Sequence, residues 1–127
     1  MSFTSLFFLL SGGMIGTFVR YFLTKILTSY KFFNILSMPI AVLIINISGS
    51  LLFALFIYLT KYFTLSDNFK MFIFTGFLGS YTTYSTYIFE ATTLCFEKEI
   101  MLGVLYICLS FFIPFFIMYL SFVKLNA

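Results

Sequence analysis

Residues 76–90 read GFLGSYTTYSTYIFE, two glycines and then an unbroken run of hydroxyls from Ser80 to Tyr87, in a chain that is 62% hydrophobic. Wound as one helix, the stretch would put Gly76, Gly79 or Ser80, Thr83, Tyr87 and Glu90 on one face. Thr82, Tyr84, Ser85 and Thr86 would carry hydroxyls around the remainder. A helix that is polar all round has to be covered by protein wherever its surroundings are apolar. Glycine at 79 followed by Ser80, Tyr81, Thr82 and Thr83 is also a weak helix, so the sequence predicts a break near residues 79–83. Carbonyls freed there can bind a cation, and N–H groups freed at the restart can bind an anion.

The surroundings of this stretch are indeed apolar. Over 127 residues the chain is 24% aromatic and only 9% charged, and its mean hydropathy is +1.12. Such a composition belongs to an integral membrane protein. A spanning helix needs roughly 20 mostly apolar residues, and four segments qualify: 3–24, 39–60, 70–94 and 100–123. The joining segments are short, so the expectation is one domain, 1–127, of four transmembrane helices with the third broken. The first segment is expected to be a retained helix and not a cleaved leader, because no positive residue precedes its apolar run and Arg20 lies near its far end. Cys95 and Cys108 sit in or beside apolar segments, where inert buried thiols are expected.

Charge sets the next constraint. The net charge is +3, but the basic residues are scattered singly, which argues against a nucleic-acid partner. With four spans, Lys61, Lys70 and Lys124 fall on one side and Lys25, Lys31 and Lys98 on the other, three against three unless Arg20 tips the count. Orientation normally follows an excess of Lys and Arg on the cytoplasmic side, and here there is almost none. Either one or two lysines decide a single orientation, or the chain inserts both ways and pairs with its inverted copy about an axis in the membrane plane.

Polar positions recur in the other segments. Gly12 and Gly16 have the spacing that lets two helix backbones approach closely. Arg20 either faces a partner or water-filled cavity, or snorkels from a helix end. Asn46, Ser50 and Ala54 form a small and polar stripe with Gly49 beside it. An amide at 46 can glue helices or donate to an anion. Tyr106, Ser110 and Pro114 are four apart on the last segment, and proline withholds the N–H that Ser110's carbonyl would accept.

The chain has no His, and three of its four carboxylates, Asp67, Glu97 and Glu99, lie at helix ends or in loops. That excludes a catalytic triad, a zinc site and an acid/base pair, so no enzyme is expected. Glu90 is the one carboxylate expected inside the membrane, as proton relay, ion-pair partner or helix-end charge.

GGxxGxxxRY in residues 12–21, NxxGS in 46–50 and the stretch 76–90 together resemble the Fluc (CrcB) family of fluoride channels over essentially the whole chain. The resemblance implies an all-α, antiparallel, dual-topology homodimer with two pores at the interface, in the bacterial plasma or inner membrane, giving passive fluoride efflux and fluoride resistance. It implies a structural sodium ion at the dimer centre, held by the carbonyls of Gly79 and Thr82 from both subunits. Asn46 would reach fluoride, Arg20 would lie near a vestibule, and Thr83, Ser85, Tyr106 and Ser110 would line the polar track. The family's two pore phenylalanines fall at Tyr84 and Tyr87 here. Tyrosine keeps the positive ring edge, and its hydroxyl could donate to fluoride or bond a neighbour and narrow the path.

Three other readings follow. The tyrosines could mark one subunit of a heterodimeric fluoride channel. A small dual-topology proton-coupled multidrug exporter also has four helices, but needs a carboxylate deep in the bundle, commonly in the first helix. A non-transporting packing protein would leave the clustered hydroxyls unexplained.

Overall fold

A computed structural model describes residues 2–29, 38–97 and 99–126. Lys31 and Lys98, which carry part of the charge balance, lie outside the described residues.

Helix α1 runs Phe3–Ser29, α2 Ile40–Leu59 and α6 Ile100–Asn126. All three are long and apolar enough to cross a membrane. They extend or trim the expected segments by a few residues, the largest change being five further residues on α1, where Thr28 and Ser29 return their hydroxyls to their own helix. No strand occurs among the described residues. The chain is a multi-pass, all-α membrane protein, and its outer faces suit lipid: Phe7, Phe18, Phe22, Phe111, Phe115 and Phe116 are all half exposed or more.

The segment between α2 and α6 is not one helix. Its first turn, α3 (Asp67–Lys70), is capped by Ser66, whose hydroxyl accepts from the Phe69 N–H at 3.3 Å, and closed by a Lys70 to Asp67 ion pair at 3.3 Å. Residues Met71–Leu78 then wind as a π-helix, a form found mostly as single turns inside α-helices. One α-helical turn, α4 (Gly79–Tyr81), follows, and the helix restarts as α5 (Tyr84–Phe96). Thr82 (φ −78°, ψ 156°) and Thr83 (φ −144°, ψ 118°) are extended between them. The interruption thus lies within the expected 79–83, at its C-terminal end. Pro114, by contrast, does not interrupt α6.

Close packing fixes this broken element against its neighbours. α1 lies chiefly on the π-helical segment, with buried Gly12 and Gly16 at the crossing. A Cβ on Gly12 would overlap the Phe72 carbonyl oxygen, and one on Gly76 would come within 2.7 Å of the Leu9 carbonyl oxygen. α2 and α5 both pack on α6. Val42, Leu43, Tyr87, Ala91, Leu94 and Tyr106 form the core between them, and Tyr106 is fully buried.

Candidate functional site

The break is held extended by side chains that replace its helical hydrogen bonds. In a continuous helix the Thr83 N–H would donate to the Gly79 carbonyl; here it donates to Asn46 Oδ1 at 2.9 Å. Asn46 Nδ2 in turn donates to the Thr83 carbonyl at 3.1 Å, so one amide from α2 pairs with both backbone groups of Thr83 as a neighbouring strand would. The Thr86 N–H, which a continuous helix would aim at the Thr82 carbonyl, donates instead to Thr83 Oγ1 at 3.4 Å. That makes Thr83 the N-cap of α5, a role for which threonine is suited.

Two further contacts brace the turn before the break. Arg20 Nε donates to the Ser80 carbonyl at 3.0 Å, and Ser80 Oγ donates to the Gly13 carbonyl at 2.9 Å. On the α2 side, Ser48 Oγ and Tyr81 Oη are 2.8 Å apart. Gly49 lets α2 come this close, since a Cβ there would overlap the Thr82 methyl group.

A groove of about 490 Å³ opens where the break, α2 and α6 meet, and Asn46, Thr83, Tyr84, Tyr87 and Ser110 line it. Sequence positions 46, 83, 84, 87 and 110 are thereby brought to one place, a convergence that no spacing could display. Ser110 Oγ is buried with no hydrogen-bond partner among the described residues, unusual for a hydroxyl in an apolar interior. The rings of Tyr84 and Tyr87 meet edge to face, centroids 5.7 Å apart. Tyr87 is buried and its hydroxyl leans on the Ile107 carbonyl at 3.5 Å, whereas Tyr84 is 76% exposed. The groove has no Asp or Glu in its lining, and the start of α5, where a helix leaves N–H groups without intrahelical acceptors, stands at its edge.

Three of the expected residues sit elsewhere. Tyr106 donates its hydroxyl to Glu90 Oε2 at 2.7 Å and is absent from the groove wall. Ser85 is exposed on α5 and also outside it. Arg20 lies across the break, on α1, beside a second and wider groove of about 1080 Å³ lined by Gly13, Thr17, Gly79 and Ser80 among apolar neighbours.

Two features of the break went unseen in the sequence. The reciprocal Asn46–Thr83 pair joins residues 37 apart, for which no local pattern exists. The Ser48–Tyr81 contact lies off the stripe formed by Asn46 and Ser50. The Thr83 cap, however, had a visible mark in TYST, a threonine followed three residues later by Thr86, whose hydroxyl meets it at 2.9 Å.

A family model described as "CrcB-like protein, Camphor Resistance (CrcB)" matches residues 7–122. The chain is 36% identical over 110 residues to a protein of Flavobacterium psychrophilum named fluoride-specific ion channel FluC, covering 86% of each. It is 34% identical over 117 residues to a Pyrococcus horikoshii protein of the same name, covering 91% of this chain and 90% of the other. A Staphylococcus saprophyticus protein named fluoride-specific ion channel FluC 2 is 34% identical over 121 residues, 94% of each.

Proposed function

The chain belongs to the CrcB-like protein family, and from that premise we propose that it is not an enzyme but a passive, fluoride-selective channel of the bacterial plasma or inner membrane. The observation that carries the reading is the groove in which the Asn46 amide, the Tyr84 and Tyr87 rings and the unpartnered Ser110 hydroxyl converge. Donors and positive ring edges facing a carboxylate-free cavity suit a small anion. Fluoride would shed water stepwise against these groups, and a larger halide would fit less well. Fluoride carried in as neutral HF and trapped as the anion would leave by this path.

The open side of the groove supports pairing. Tyr84 is largely exposed on a single chain, and an inverted second copy would wall it in, in keeping with the lysine balance. The broken element then serves as the fourth span of a one-domain protomer. The proposal is an antiparallel dual-topology homodimer with two pores, in which exposed Ser85 is offered to the partner's half of the track. Arg20, anchored on Ser80, adds a fixed positive charge beside the break and serves a vestibule. Tyr106 acts at one remove, through its bond to Glu90.

The Gly79 and Thr82 carbonyls fit the proposed sodium site, because the N–H groups that would cap them in a helix are bonded to Asn46 and Thr83 instead. Bound there, sodium would supply a central positive charge that ties the two breaks together. The heterodimer alternative rests on the tyrosines, but Tyr87 turns its hydroxyl toward α6 and leaves its ring edge available. For an exporter, Glu90 is the sole embedded acid, and it already accepts from Tyr106.

The groove is tested by Ser110→Ala. Its hydroxyl meets no partner within hydrogen-bond distance among the described residues, so thermal stability is expected to stay within about 0.5 kcal/mol of the parent. Fluoride efflux from liposomes, followed with a fluoride electrode, is expected to fall about tenfold, the loss of one hydrogen bond to the passing ion. Unchanged efflux would remove Ser110 from the path.

A further inference from the structure

The exchange of partners around Thr82 and Thr83 engages some carbonyls of the break and strips others of their helical donors. Ser80's carbonyl is taken by Arg20 Nε and Thr83's by Asn46 Nδ2. Gly79's and Thr82's lose their helical donors, and in each case a named side-chain oxygen has captured the N–H concerned: Asn46 Oδ1 takes that of Thr83 and Thr83 Oγ1 takes that of Thr86. These are the two carbonyls proposed to hold sodium.

We propose that Asn46 and Thr83 are positioning residues for the cation, decoy acceptors whose task is to keep the Gly79 and Thr82 carbonyls free. The inference rests on the sodium reading above. Its physical basis is competition. A carbonyl in an apolar interior costs free energy when unpaired, so a chain without the decoys lowers its energy by turning Thr83 N–H back to Gly79 and Thr86 N–H back to Thr82. The helix then continues across the gap and its oxygens are no longer available to a cation. With the decoys in place, the N–H groups that would close on these two carbonyls are held elsewhere, which leaves the oxygens to a cation. Asn46 is apt for this because one amide offers an acceptor and a donor together, and both are engaged by the same residue. Thr83 is apt because a β-branched hydroxyl residue favours both the extended conformation and the N-cap position. The decoys also link the two proposed ions, since a residue of the fluoride groove sets the sodium carbonyls.

The test is the sodium dependence of thermal unfolding of the purified full chain in detergent, with sodium chloride exchanged for N-methylglucamine chloride at constant ionic strength. The readout is the sodium concentration giving half the maximal rise in Tm. Thr83→Val keeps the shape and removes the decoy oxygen, and Thr83→Ser keeps the oxygen. The half-point is expected to rise about tenfold in Thr83→Val, the net worth of one hydrogen bond, and to return close to the parent value in Thr83→Ser. Asn46→Leu is expected to raise it as well, and Asn46→Asp, which retains an acceptor for Thr83 N–H, to raise it less. A parent protein that responds to sodium, with Thr83→Val responding at the same concentration, overturns the decoy role alone. A parent protein indifferent to sodium overturns the sodium reading and this inference with it. If Thr83→Val yields no folded protein, the comparison of Asn46→Asp with Asn46→Leu decides, and equal half-points in those two overturn the proposal.

Discussion

Gly16→Ala is expected to force α1 away from the broken element and cost about 3 kcal/mol or more, at or above the upper end of the usual overpacking range. A Cβ at this position would overlap the Phe77 carbonyl oxygen and Ser80 Oγ, and the first of these is backbone that cannot rotate aside. The damage would also reach the break, because the Ser80 hydroxyl bonds the Gly13 carbonyl and the Ser80 carbonyl accepts from Arg20. Gly13→Ala provides the contrast, since nothing lies within 4 Å of a Cβ added there. An alanine inside a helix is favoured over glycine by about 0.5–1 kcal/mol, so this protomer should be as stable as the parent or slightly more so. Thermal unfolding followed by circular dichroism in detergent measures both. Equal melting of Gly16→Ala and the parent would show that the α1 crossing is looser than described.

Asn46→Leu is expected to reduce fluoride efflux by about 100-fold or more, equivalent to about 2.7 kcal/mol on the barrier. The substitution roughly conserves volume yet strips both hydrogen bonds from the Thr83 backbone and removes the amide from the groove wall. Each buried group left without a partner costs about 1–3 kcal/mol, and the chain can recover part of that only by rewinding the break. The α2–α6 packing does not depend on this amide, so the variant should still purify as a helical protein. Efflux from liposomes within about tenfold of the parent would contradict the place given to Asn46.

The long elements were legible because a span in lipid leaves a composition that nothing else imitates: α1, α2 and α6 stand where 3–24, 39–60 and 100–123 were expected, shifted at the ends. The break was legible for a different reason, the weak helix formed by Gly79 and the Ser and Thr residues after it, which placed it within 79–83. That it falls at Thr82 and Thr83 was not legible, because Asn46 binds Thr83 across 37 residues of sequence. The π-helical winding of Met71–Leu78 left no mark either, as MFIFTGFL carries no preference that separates i→i+5 from i→i+4 bonding. In the site, Asn46, Thr83, Tyr84, Tyr87 and Ser110 line one groove; the resemblance of motifs named them as pore residues, and that role belongs to the proposal. Tyr106 shows how far spacing can carry: it shares a face with Ser110, yet its hydroxyl is spent on Glu90, a partner that only the packing of α5 on α6 supplies.

The central claim, that this chain alone conducts fluoride selectively, is tested most directly by efflux from liposomes containing it as the sole protein. One set is loaded with potassium fluoride and the other with potassium chloride, and valinomycin starts release by letting potassium follow the anion. The expected result is rapid discharge of the fluoride load with the chloride load retained. No fluoride release from monodisperse, helical protein, or equal release of both halides, would contradict the account.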